Sequence, residues 1–166
     1  MLAWNCRGLG NPWARQFITE FITQKKPEIM FLCETKVEDG IIQNIRRRTG
    51  MEGAFIVKAR GSSGGLAMLW RNKEDGTIRS FDKNHVDMTY VTRDGHTVRV
   101  TGMYSEPKRE QRHETWALMR RLAEVDNLPW VLIGDLNNIL GAEDQRGGTT
   151  ISSILTNRFQ GSNGGL

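Results

Sequence analysis

The sequence predicts an α/β fold, and three observations carry that expectation. A strand, a helix and a second strand fit within the first 34 residues. Short strand candidates then crowd the middle of the chain. A helix followed by a buried-type strand returns after residue 107. Helices at both ends of a strand-rich middle suggest sheets covered by helices.

Met1–Cys6 reads as a short strand, ended by the turn-prone Arg7-Gly8-Leu9-Gly10. Asn11 suits an N-cap and Pro12 the first helical position. Trp13, Phe17, Ile18, Phe21 and Ile22 recur at helical spacing, and Lys25-Lys26-Pro27 closes the helix. Glu28–Glu34 follows as an apolar strand with a polar end. Glu38–Arg48 forms a second, more polar helix that Gly50 terminates. Ala54–Ala59, Gly65–Trp70, Thr77–Phe81, His85–Thr92 and Thr97–Tyr104 are strand candidates, with Asp94-Gly95 as a hairpin turn. Lys108–Val125 returns to helix, with Trp116, Met119, Leu122 and Ala123 on one face. Val131–Ile133 is a buried-type strand, followed by Gly134-Asp135-Leu136-Asn137. Residues 1–148 read as one partial domain. Thr149–Leu166, rich in Ser, Thr, Gly and Asn, reads as a divergent, poorly ordered tail.

The composition is that of a folded chain, with 38% hydrophobic and 25% charged residues over 166 positions. No apolar run is long enough to span a bilayer, and the opening Met1-Leu2-Ala3-Trp4 leads directly into polar Asn5 without a secretory signal. An intracellular location, nuclear or cytoplasmic, is the expectation. Cys6 and Cys33 lack CxxC spacing and make no disulfide framework; buried free thiols fit their apolar settings. The net charge of +4 favours polyanionic partners mildly, and most of the cations are arginines, suited to bidentate phosphate contact. Arg7 and the Arg46-Arg47-Arg48 run are candidates for contact with a nucleic-acid backbone. The run reads equally well as a solvated helix end whose cations favour the C-terminal dipole.

Three strand ends carry polar residues that strands do not require: Asn5, Glu34, and Asp135 with Asn137. Loops after strands are where α/β proteins gather functional groups. Glu34 suits a hard-metal ligand, since magnesium sites use one or two carboxylates with water and substrate phosphate. Asp135 suits a general base or second ligand, and Asn137 a donor to a phosphoryl oxygen. Each also has a structural reading, as an Asx-turn, a loop cap or a Gly-Asp turn.

Six local motifs in order, over about residues 2 to 148, carry a family resemblance. Trp4-Asn5-Cys6-Arg7-Gly8-Leu9-Gly10-Asn11 before a helix resembles the opening of plant LINE-type (non-LTR) retrotransposon endonucleases. Leu32-Cys33-Glu34-Thr35-Lys36, Gly61-Ser62-Ser63-Gly64-Gly65-Leu66-Ala67 and Gly102-Met103-Tyr104 resemble further segments of that family. So do Arg112-His113-Glu114-Thr115-Trp116 and Gly134-Asp135-Leu136-Asn137-Asn138-Ile139-Leu140 with Glu143-Asp144-Gln145-Arg146-Gly147-Gly148.

The resemblance places the chain in the endonuclease/exonuclease/phosphatase superfamily. It implies a four-layer sandwich of two face-to-face sheets flanked by helices, here expected to lack its C-terminal strands. It implies Mg2+ or Mn2+ as cofactor and DNA as partner. In the family's terms Glu34 holds the metal, Asn5 supports that site, and Tyr104 contacts the scissile phosphate. Asp135 orients or deprotonates the attacking water, and Asn137 binds a phosphate oxygen. The family also uses a late Asp and a Ser-Asp-His segment that these 166 residues do not contain; His85, His96 and His113 all lie in other contexts. A weak or inactive endonuclease-like domain is therefore expected. The alternatives are a non-catalytic nucleic-acid-binding remnant, and a phosphatase acting on a smaller phosphoester.

Overall fold

The computed structural model describes residues 1–60, 64–105 and 112–137. Met1–Leu136 form one unit; a second begins at Asn137, the only residue of it that is described. The motif positions 61–63 and 138–148, and the expected tail 149–166, lie outside the described residues.

The first sheet has the order β1-β2-β4-β3, from β1 (Leu2–Asn5), β2 (Ile29–Cys33), β3 (Gly53–Val57) and β4 (Leu66–Trp70). β1 and β2 run parallel, joined by the crossover helix α1 (Pro12–Lys25), while β4 is antiparallel to both of its neighbours. The second sheet has the order β5-β6-β7-β8, from β5 (Gly76–Phe81), β6 (His85–Val91), β7 (Thr97–Tyr104) and β8 (Trp130–Asp135). β5, β6 and β7 form an antiparallel meander, and β8 joins β7 in parallel after α3 (Arg112–Ala123).

Three apolar clusters separate four layers. Ile18 and Ile22 of α1, with Ile42 and Ile45 of α2 (Asp39–Thr49), pack on Met30, Leu32, Ala67 and Leu69 from one face of the first sheet. The other face contributes Ile29, Phe31, Leu66, Met68 and Trp70, which meet Val86, Met88, Tyr90 and Val100 of the second sheet. Leu118 and Leu122 of α3 cover Met103 on that sheet's far side. β2 and β4 are thus buried on both faces, which is why both are uninterrupted apolar runs and show no alternation.

The helix caps follow the sequence. Asn11 accepts from Trp13 N at 2.9 Å with Pro12 opening α1, and Gly50 ends α2 in the left-handed region. The apolar face expected of α1 is wider than the stripe that is buried. Ile18 and Ile22 are covered, whereas Trp13 and Phe17 are exposed, and Phe17 and Phe21 pack against Trp4. On α3 the inward residues are Thr115, Leu118 and Leu122, and Ala123 faces solvent. Among the described residues no helix is long and apolar enough to cross a membrane, and Cys6 and Cys33 are free thiols.

Candidate active site

The two parallel strand pairs end at the same place. Asn5 is the last residue of β1 and pairs with Cys33, so Glu34 leaves β2 directly beside it. Tyr104 ends β7 and pairs with Asp135, the last residue of β8. Asp135 therefore sits within the strand, not in the loop after it. The Asn5 amide joins the two sheets. Its Nδ2 donates to Glu34 Oε1 at 3.0 Å and to Asp135 Oδ2 at 2.9 Å, while its Oδ1 accepts from Arg7 N at 3.0 Å. The third bond fixes the amide so that its two hydrogens face the two carboxylates. The Tyr104 hydroxyl donates to Glu34 Oε1 at 2.7 Å, and Lys36 Nζ lies 2.8 Å from Glu34 Oε2.

The backbone around Glu34 is held in an unusual shape. Glu34 and Lys36 have φ of 50° and 52°, the left-handed region that non-glycine residues rarely enter. Four backbone bonds fix the loop: Gly8 N to Glu34 O and Leu9 N to Thr35 O, both 2.8 Å, then Thr35 N to Gly65 O at 3.1 Å and Lys36 N to Gly64 O at 3.2 Å. This explains the motif glycine at 65. Its φ is 88°, and a Cβ there would lie 2.3 Å from Thr35 Oγ1. Asn84, which lies in no motif, holds Tyr104 from both sides. Its carbonyl accepts from Tyr104 N at 2.7 Å, and its amide donates to Tyr104 O at 3.1 Å.

Burial alone would raise the Glu34 pKa, but hydrogen bonds from Lys36, Tyr104 and Asn5, with the Lys36 charge, outweigh it and hold the carboxyl at about 2. Glu34 is thus an anion under all ordinary conditions. Burial, with the Glu34 anion as acceptor and neighbour, pushes the Tyr104 phenol well above its usual value, so Tyr104 remains a donor. Burial first, and the nearby carboxylates second, push the Cys6 and Cys33 thiols up to about 12. In the metal-free chain both thiols therefore stay protonated and are poor nucleophiles.

The donor set fits a hard divalent cation. Among the described residues no three His, Cys, Asp or Glu side chains converge. The described protein ligands on offer are thus the carboxylates of Glu34 and Asp135, the number that magnesium uses beside water and phosphate.

The other expected residues separate by location. Arg7, exposed with φ of 47°, lies two residues beyond Asn5, to whose Oδ1 its N–H donates, and stands at the site's edge. Arg46, Arg47 and Arg48 end α2, beside the Gly53–Trp70–Ile29 end of the first sheet and away from Glu34. Arg46 is committed locally: its guanidinium donates to Gln43 and to the carbonyls of Met51 and Glu52. Arg47 and Arg48 are exposed. Asn137 has φ of 48° and lies two residues beyond Asp135. His85 is buried beside Ser80 and Asp82, yet its 2.9 Å approach to Asp82 is misaligned for a hydrogen bond. Asp82 instead accepts from the backbone N–H groups of Asn84 and His85, so the trio shapes the β5–β6 turn and forms no catalytic relay.

Comparison with known proteins points the same way. The model of the Endonuclease/Exonuclease/phosphatase family matches residues 2–165. No curated protein matches the chain in sequence. Among solved structures, the AP endonuclease LMAP from Leishmania major has a TM-score of 0.62 at 14% identity, over 89% of this chain and 57% of that one. The human Nocturnin catalytic domain has a TM-score of 0.60 at 15% identity, over 85% and 64%. D. rerio TDP2 complexed with a single-strand DNA product has a TM-score of 0.59 at 14% identity, over 82% and 60%. The chain thus spans about three-fifths of the length of these structures, and the likeness is one of fold.

Proposed function

From the premise that this chain belongs to the endonuclease/exonuclease/phosphatase family, we propose that it carries the front part of a metal-dependent phosphodiesterase site acting on DNA. One observation supports this reading above all. Asn5 binds the carboxylates of Glu34 and Asp135 at once, with the Tyr104 hydroxyl on the same Glu34 oxygen, where four strands end.

Each residue then has a physical task. Glu34, a fixed anion, would hold Mg2+ or Mn2+, and such a cation would supply positive charge beside the phosphoryl group. Tyr104 keeps its proton and offers it to a phosphate oxygen. Asp135 accepts a proton from the attacking water. Asn5 keeps the two carboxylates in register without adding charge. Asn137 donates to a second phosphate oxygen, a role resting on the sequence resemblance. Arg7 supplies a cation for the adjoining nucleic-acid backbone. The ordered motifs from Trp4 to Gly148 support descent from a plant LINE-type endonuclease.

Plasmid nicking with and without Mg2+ tests this reading. Mg2+-dependent nicking is expected from the wild type, reduced to background by Glu34→Ala and by Asp135→Ala. Nicking that persists equally in both variants would refute the assignment.

A further inference from the structure

The two oxygens of Glu34 are not equivalent. Oε1 accepts from two neutral donors, the Asn5 amide and the Tyr104 hydroxyl, at 3.0 and 2.7 Å. Oε2 faces a cation, Lys36 Nζ, at 2.8 Å. A cation approaching this carboxylate therefore finds Oε1 already holding two hydrogen bonds, and Oε2 holding an ammonium. Lys36 is not there by chance of a long side chain. Its backbone is left-handed at φ 52°, and its N–H is tied to Gly64 O at 3.2 Å. The loop thus aims a lysine back at the carboxylate two residues earlier. Glu34 is half-buried, 18% exposed at the side chain, while Lys36 is exposed, so solvent screens the pair in part.

We propose that Lys36 is an internal counter-ion that competes with the divalent cation for Glu34 Oε2 and sets the metal affinity of the site. Metal entry then requires the ammonium to leave. Two costs follow for the metal: the Lys36–Glu34 attraction is lost, and a positive charge stays nearby on the same loop. Once displaced, the ammonium is free to meet an anionic phosphate arriving at the site. The proposal rests on the reading that Glu34 is a metal ligand, and the experiment separates the two.

Mn2+ binding to the full chain, measured by titration calorimetry and by the electron spin resonance signal of free Mn2+, provides the test. Lys36→Met keeps the length and removes the charge, and Lys36→Gln serves if the methionine variant does not fold. Either is expected to tighten the Mn2+ dissociation constant about five- to tenfold. Lys36→Arg, which keeps the charge, is expected to stay near wild type. In a Glu34→Gln background, Mn2+ binding and the effect of Lys36→Met are both expected to vanish. Unchanged or weaker binding in Lys36→Met, with Glu34→Gln abolishing it, would overturn the counter-ion role and leave the metal site standing. Wild-type Mn2+ affinity in Glu34→Gln would overturn the metal site and the proposal together.

Discussion

Asp87→Ala is expected to lower the unfolding free energy by roughly 3–5 kcal/mol, the usual cost of stranding one partner of a buried ion pair. Arg99 and Asp87 are 1% and 2% exposed at the side chain, with Arg99 Nε 3.0 Å from both carboxylate oxygens. Thr101 donates to Asp87 Oδ1, Trp130 Nε1 donates to Thr101 at 2.8 Å, and Arg99 Nη1 donates to Leu122 O. The guanidinium also lies 5.3 Å from the Trp130 ring centroid. The network ties β6, β7, β8 and the end of α3 together, yet among the described residues Arg99 Nη2 has no hydrogen-bond partner. Removing Asp87 leaves the whole cation without its anion in a dry layer. Thermal unfolding checks this: at roughly 2–4 °C per kcal/mol for a chain of this size, a fall of about 10 °C is expected. Replacing Asp87 by Leu and Arg99 by Met together is expected to recover most of the loss, since buried pairs contribute little net stability over apolar residues of like size.

Gly134→Val is expected to be nearly as costly and to disable the site. Gly134 has φ of 141°, and a Cβ there would lie 1.9 Å from the Met103 carbonyl oxygen. That neighbour is backbone of the paired strand, in register Met103↔Gly134, and cannot swing away. A side chain must therefore push β8 off β7, one residue before Asp135. A loss of roughly 2–5 kcal/mol combines the strained φ with the overpacking. The informative comparison is with Asp135→Ala. Gly134→Val is expected to lose Mg2+-dependent nicking to the same degree and to melt at lower temperature, whereas Asp135→Ala keeps its melting temperature within a few degrees.

The residues that proved easiest to read were those whose local chemistry stands alone. Asn11-Pro12 capped α1, Gly50 ended α2, and Asp94-Gly95 turned between β6 and β7 because each acts within a few residues. The apolar runs of β2 and β4 were legible as strands, but their cover on both faces was not. Val131–Ile133, read as a buried-type strand, is only partly covered in β8, with Val131 exposed. Asn5, Glu34, Tyr104 and Asp135 were visible as polar residues at strand ends or in motifs, but not their convergence, which depends on two parallel pairings between distant segments. The Asp87–Arg99–Thr101 network was hidden by its own pattern. The polar residues alternating along β6 and β7 carry no sign in the sequence of which face is covered, and the packing of α3 makes theirs a buried one. Lys36 and Asn84 were equally illegible, since their roles come from a left-handed backbone and a cross-strand clamp. The basic run on α2 was visible but distant from Glu34, because charge in sequence carries no address in space.

Under the proposed function, Glu34, at the meeting point of the two sheets, binds a divalent cation beside Asp135. Crystals of the chain soaked in Mn2+ and measured at a wavelength where manganese scatters anomalously test it directly. An anomalous peak is expected within bonding distance of a Glu34 carboxylate oxygen, absent in Glu34→Gln. A peak at some other cluster of oxygens, or one at Glu34 that persists in Glu34→Gln, would contradict it.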